Sequence, residues 1–365
     1  MPTDSDSSGK GTAQPTVILN GTEVPAEGVA SIVIEQDVDQ ADMCTTTLKN
    51  TNDNRYTETL KFGDTIEVKF AETGKKDKQT VFKGEIAGLE PNFESGGETQ
   101  CVTRAFSVMH RLSRGKKSKT YEKQSDADIA KAIISAYGMN CKVQGNVNIK
   151  HDHVYQHQMT DLEFLLMRAK RINYELVAVP DDDKTMMFRK RDVSQSETLV
   201  LDMGAKDDAE GAPLRKLSLR LSSAGQITEV KVRCWDANTA KEIIGQATSL
   251  DSKLNPKDGG AAAKSAFSGG THKVTYDVPV ASTEEANAVA KAILEDTALS
   301  YVTGEAIVKG NPALRAGIII KVMGTDKRFD GKYYVSGCTH KYSHKASGSG
   351  GFITCLRVKS NGTST

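Results

Sequence analysis

Alternation of apolar and polar side chains dominates both ends of this chain. Near the N-terminus Ile66, Val68 and Phe70 alternate with Glu67 and Lys69, the period of a strand with one buried face. Val17–Val24 contains Asn20-Gly21, the signal of a hairpin with a type I′ turn. Further strands are expected at Ala30–Glu35 and Cys44–Leu48, with Glu72–Gln79 as a polar hairpin tip. Together these predict a small antiparallel β-module over residues 16–112, preceded by a disordered N-terminus over residues 1–15. The middle of the chain switches to helical spacing. Ile129, Ala132, Ile133, Ala136 and Tyr137 form one apolar stripe, Ser125 is placed to cap it and Gly138 to stop it, which predicts a helix over Asp126–Tyr137. Thr160 and Glu163 make a capping box for a second helix, Asp161–Arg171. Tyr174–Val179 and Thr185–Arg189 read as a hairpin across Asp181–Asp183. Residues 113–213 are therefore expected to be an α+β intermediate domain.

Alternation returns at Leu217, Leu219 and Leu221, then at Ile227–Trp235 and Val274–Val278. A third helix is expected after Ser282, boxed by Glu285. Gln246–Gly270, rich in Gly, Ala, Ser and Lys, is expected to be a mobile loop. Residues 214–365 then form a second β-module that carries one helix. This module repeats blocks of the first. Gly63 opens an alternating strand, Phe82-Lys-Gly84 follows, and a last strand closes on Arg104; Gly317, Phe329-Asp-Gly331 and Arg357 come in the same order. The fold class expected is α+β, predominantly β, with two similar antiparallel β-barrel-like domains flanking the intermediate one.

The totals remove several classes of function. Lys plus Arg is 48 and Asp plus Glu is 47, so no global charge footprint points to nucleic acid or an acidic membrane. No apolar run has the length of a membrane helix, and the polar start lacks the pattern of a signal peptide, so synthesis and folding in the cytoplasm are expected. The six cysteines are scattered without a C-x-x-C pair and read as reduced packing residues. Arg111–Lys123 is basic; a solvated linker explains it, and few aromatics are interleaved for stacking on bases.

Candidate chemistry is sparse. His151, His153 and His157 could hold zinc through neutral imidazoles, with His151 and His153 on one strand face. No H-E-x-x-H helix accompanies them and no carboxylate is placed as general base. Asp181–Asp183 could bind calcium loosely, although turns commonly carry such residues. Asp236, after the single tryptophan Trp235, reads as a turn former. Gly9-Lys10-Gly11-Thr12 lacks the flanking strand and helix of a phosphate loop. Asn20-Gly-Thr22 and Asn361-Gly-Thr363 fit the glycosylation pattern, which a chain without a secretion signal would not use. The absence of a convergent polar site favours a binding or structural role over a metal-dependent hydrolase built on the three histidines, and leaves open a stand-alone binding module centred on Trp235.

One resemblance organises these blocks. In order they are Gln226–Asp236, Asp277-Val-Pro279-Val, Ser282 to Ala286, Gly310-Asn311-Pro312 to Gly317, Arg328 to Val335 and Thr339-His340-Lys-Tyr342. The series resembles the late control protein D family of contractile-tail phages, whose pattern is shared by hub portions of VgrG-type spikes and by contractile injection systems. Ser125–Ala130 and Thr160–Leu165 look like the two helix starts of that family. The resemblance spans the chain after residue 15. It implies a baseplate hub with no catalytic activity and no cofactor. Three copies would form a ring of six near-equivalent units that joins a sixfold inner tube to a threefold spike and lines the channel between them. The implied partners are the inner tube protein, a spike protein and other baseplate proteins of a phage tail or injection particle, with no membrane and no specific nucleic-acid binding. VgrG-type chains continue into an oligonucleotide-fold domain and a needle; the sequence here ends at Thr365, so a separate spike polypeptide is expected.

Overall fold

The computed structural model describes residues 14–51, 55–72, 77–95, 97–205, 212–237, 239–267, 272–344 and 351–365. The expected disordered start up to residue 13, the Gly9–Thr12 run and residues 73–76 of the hairpin tip lie outside them.

The first region opens with β1 (Thr16–Leu19) and β2 (Thr22–Glu23), joined by Asn20 at φ 48° and Gly21 at φ 84°. Two left-handed residues in succession are what a type I′ turn requires. β3 (Val29–Asp37), β4 (Met43–Lys49), the short helix α1 (Tyr56–Thr59), β5 (Thr65–Ala71), β6 (Lys78–Asn92) and β7 (Gln100–Phe106) follow. Their order in the sheet is β2-β1-β5-β6-β7-β4-β3, antiparallel throughout. The alternating apolar residues meet in one core that includes Val17, Ile32, Ile34, Ile66, Val68, Phe70 and Phe82.

The intermediate region begins with β8 (Lys117–Ser125), α2 (Asp126–Ser135) and β9 (Asn140–Gln144), and continues with β10 (Lys150–Met159), α3 (Asp161–Arg171), β11 (Tyr174–Val179) and β12 (Asp182–Lys190). Both expected capping boxes are present: Ser125 and Asp128 bond reciprocally at the start of α2, and Thr160 and Glu163 do so for α3. The basic stretch Arg111–Lys123, expected as a solvated linker, is largely the strand β8, paired with β10. Tyr121 is the reason: it turns into the core beneath α2 and α3 while the lysines point to solvent. Val108, Met109 and Leu112 also pack in this core, upstream of the expected boundary at 113.

The last region starts earlier than expected, with β13 (Leu199–Asp202) and then β14 (Ala212–Leu221). A lobe interrupts it: β15 (Glu229–Asp236), β16 (Lys241–Ala247), β17 (Lys257–Asp258), α4 (Gly259–Ala266), β18 (Lys273–Asp277) and α5 (Thr283–Ala298). β19 (Val302–Lys309), β20 (Ile319–Met323), β21 (Gly331–Ser343), β22 (Gly351–Ser360) and β23 (Gly362–Thr363) complete the chain. β13, β20, β21, β22, β19 and β14 pair in that sequence, and β14 pairs again with β13, so six strands close into a barrel. Leu201, Val308, Ile320, Val335 and Leu356 lie in its interior. In the lobe the sheet β16-β15-β18 rests on α5 through Val230, Val232, Ala286 and Val289. The stretch 246–270 was expected to be a loop, yet it holds α4. Asp258 caps that helix at 2.7 Å from the Ala261 N–H, and Gly259 lies so close to Tyr301 that a Cβ would fall 2.3 Å from the ring. The box at α5 is half formed: Ser282 accepts the Glu285 N–H, but the Glu285 carboxylate takes the Ala281 N–H at 2.9 Å. The fold is thus α+β, predominantly β, with a six-stranded β-barrel.

Candidate functional site at the seam between the two sheets

β21 serves two partners. Its first residues pair with β20 from Gly331 to Tyr334, and from Gly337 to Ser343 it pairs with β3 instead, while β22 accompanies its other edge. The switch follows a bulge between Val335 and Gly337. A Cβ at Gly337 would lie 2.4 Å from Arg357 Nη2, so a larger residue there would displace the end of the Arg357 side chain. The seam merges the strands of the first region with the six barrel strands of the last into one 13-stranded sheet.

Side chains cross with the backbone. Tyr342 and Phe352, from the last region, pack in the core of the first, where Phe352 stacks on Phe70 with ring centroids 4.0 Å apart. Arg357 pairs with Asp37 over the same seam. His340 is fully buried between the two sheets. Its Nε2 lies 3.0 Å from the Leu314 carbonyl, which can only accept, so Nε2 carries the proton and Nδ1 accepts from Thr354 Oγ1 at 3.0 Å. Burial lowers its pKa to about 4, outweighing the help of the carbonyl, and keeps it neutral. Asp42, in the turn between β3 and β4, has its carboxyl pushed up to about 7, chiefly by burial, with the Asp37 charge adding to the effect.

Two polar networks hold the intermediate region to the rest. Asp126 accepts from Arg168 Nε at 2.6 Å, with His151 Nε2 3.3 Å away, and Glu285 of α5 accepts from Arg171 at 3.1 Å. Burial opposes the Asp126 charge, yet His151 and Arg168 outweigh it and hold the carboxyl below the usual range. Glu175 accepts from Tyr334 of β21 and from Arg189 at 3.3 Å, and Arg191 reaches Asp296 of α5 at 2.8 Å.

The candidate residues fall into place accordingly. His151 is drawn inward by Asp126 and Arg168, whereas His153 and His157 face solvent, so the expected shared face of His151 and His153 is not formed. Among the described residues no three His, Cys, Asp or Glu side chains are grouped to hold a metal ion. Asp183 pairs with Lys83 at 3.4 Å and Asp182 accepts the Lys184 N–H, ordinary work for a hairpin end. Trp235 is 64% exposed on the lobe, beside Arg233 and Asp277. Asp236 accepts from Thr239 Oγ1 at 2.6 Å and shapes the following turn.

The repeat blocks divide into true and false matches. Gly63 (φ 88°) and Gly317 (φ 79°) each precede the fourth strand of their sheet. Each donates its N–H to the next strand, to the carbonyl of Ile86 at 2.8 Å and of Val335 at 2.7 Å, and Ile86 and Val335 donate in turn to the carbonyls of Asp64 and Ile318. The F-x-G blocks do not correspond. Phe82 and Gly84 lie inside β6, with Phe82 buried against the first core, whereas Phe329 precedes β21 and Gly331 opens it. With Gly63 laid on Gly317, Val68 faces Phe82 but Val322 faces Gly331, a slip of two residues. Three-letter blocks carry too little constraint to fix register. The informative residues were missed: a bulge before Gly88, which faces Arg104, matches the bulge before Gly337, which faces Arg357. A second bulge lies between Val29 and Ser31 in β3, and between Leu214 and Lys216 in β14. Only Arg104 and Arg357 hinted at this in the sequence.

Residues 9–344 match the family model of the Alg8 N-terminal domain. The chain belongs to that family. No curated protein matches it. This Alg8 N-terminal domain family member has the fold of the 43 kDa tail protein of prophage MuSo2 from Shewanella oneidensis, at 13% identity and TM-score 0.68, covering 95% of this chain and 98% of that one. The tail protein of Neisseria meningitidis MC58 is similar at 15% identity and TM-score 0.68, with 96% and 97% covered. A third is the E. coli c3393 protein, a component of the type VI secretion system with structural similarity to the T4 bacteriophage tail proteins gp27 and gp5. It aligns at 12% identity and TM-score 0.55, over 91% of this chain and 73% of that one. The chain thus shares its fold with tail proteins, as the sequence resemblance implied; of the two similar barrels expected, the last region closes into one, whereas no pairing closes the first sheet among the described residues.

Proposed function

We propose that the chain is a structural hub of a contractile phage tail or injection particle, not an enzyme. Three copies form a ring of six near-equivalent sheets, which joins a sixfold tube to a threefold spike and lines the passage between them. Tail proteins and a secretion-system component share the fold, and one observation carries the symmetry. With the two-residue β2, the lobe strands and β23 left out, each sheet places its strands, counted along the chain, in the order first, fourth, fifth, sixth, third, second. Both bulges fall at corresponding registers. A symmetry adaptor needs this, because a trimer of single modules offers three contacts per ring where six are required. Exposed Trp235 favours a contact with another particle protein.

The test is the copy number of the chain, by native mass measurement of the purified protein and by imaging of assembled particles. A threefold ring with six similar sheets is expected. A single copy per particle, or one sheet lying off the common axis, overturns the reading.

A further inference from the structure

The seam inside one chain has an unused counterpart at each end. Within the chain, the second strand of the first sheet, β3, pairs with the later half of the fifth strand of the last sheet, β21. The corresponding segments are the second strand of the last sheet, β14, and the later half of the fifth strand of the first, β6. Both are bare. Among the described residues Lys216–Leu221 pair only with β19, and Gly88–Asn92 only with β7. Unpaired edges are templates for another chain, and here Pro91, which has no N–H, leaves the ladder one bond short opposite Leu219.

We infer that Lys216–Leu221 of one copy pairs antiparallel with the Gly88–Glu94 edge of a second copy, in the register of the internal seam. This rests on the hub reading and names its subunit contact. The register is fixed by correspondence, since Gly337 maps on Gly88 and Asp37 on Ser222 through the shared bulges. It sets Arg220 opposite Glu90, Lys216 opposite Glu94, and Leu217 opposite Phe93. Nothing in the mapping selected for charge, yet both ionic positions are complementary; Glu90 already pairs with Arg104 at 2.6 Å and would share its carboxylate with Arg220. Opposite charges facing across strands stabilise a pair, and like charges would oppose it. Lys216 and Glu94 have no ion-pair partner among the described residues. Phe93 is 71% exposed, while Leu217, Leu219 and Leu221 are only half covered over the barrel core. Phe93 corresponds to Tyr342, which in the internal seam crosses into the core of the neighbouring sheet. The contact is head-to-tail, so its rotation determines closure of the ring.

Cysteines at Ser218→Cys and Asn92→Cys, directly opposite in this register, test the contact in the full chain. Mild oxidation of the double variant is expected to give a covalent ladder ending at the closed ring, absent from either single variant. Lys216→Glu and Glu94→Lys are each expected to weaken self-association roughly tenfold, and the two together to restore it. A chain that still forms its ring, with no crosslink and no effect of charge reversal, overturns this contact and leaves the hub reading intact. A chain that stays a single copy in the assembled particle overturns both.

Discussion

The first and last sheets follow one strand order and end differently. In the last sheet β13 runs parallel to β20 and meets β14, which closes the barrel. In the first, β1 runs antiparallel to β5 and turns into its own hairpin with β2. No pairing joins β1 to β3 among the described residues, and the edge of β3 is taken by β21. The connection from second to third strand differs as well. Residues 38–42 suffice in the first sheet, whereas in the last a whole lobe with its own core occupies the same place. Five strands of common register therefore do not decide closure. The direction of one short strand and the neighbour available to a free edge decide it.

The comparison is broken most directly at Phe352. If the first sheet depends on the last for its interior, Phe352→Ala should cost about 3–5 kcal/mol in denaturant unfolding, as for a large aromatic removed from a packed core. A loss below about 1 kcal/mol would make the seam a surface contact between independent sheets. The two titratable groups near the seam sharpen it with opposite signs. The Asp42 carboxyl is raised to about 7 in the fold, so its contribution is full below the unfolded value and is lost as pH rises through 7. Asp42→Asn should raise stability at pH 8 by roughly 2–4 kcal/mol and flatten the profile between pH 4 and 7. His340 is held down to about 4, so its neutral form supports the fold above the unfolded pKa of about 6.5. That support is lost as pH falls towards 4. His340→Gln should remove a loss of about 2–3 kcal/mol over that window. Thermal melts across pH read both. The smallest effect belongs to the intermediate region. Thr160→Ala removes one cap of α3 and should cost about 1 kcal/mol without changing the assembly state read by sedimentation.

Local chemistry was legible in the sequence, and long-range pairing was not. The Asn20-Gly21 turn and the Ser125 and Thr160 helix starts follow from neighbours a few residues apart, and the structure has each of them. β8 was hidden because lysines on a narrow ribbon look like linker until Tyr121 is seen to face a core. α4 was hidden by its Gly-Ala composition, whose value lies in close approach to Tyr301. Gly63 and Gly317 both have left-handed backbone before a strand, and Arg104 and Arg357 both face the residue after a bulge, but each arginine lies inside its strand and does not close it. The F-x-G block was not a true match, since nothing tied it to a position. The seam itself could not be read, because alternation says which face of β21 is buried and not which strand lies beside it.

β21 also sets the order in which the molecule can be finished. Asp37 and its partner Arg357 are 320 positions apart, and the aromatic ring that seals the first core is Phe352. During synthesis the N-terminal sheet leaves the ribosome first, but it must wait with an open edge for almost the whole remaining chain. Its completion must therefore wait until β21 and β22 have been made, and a nascent chain arrested before β21 presents that edge to its neighbours in the cell.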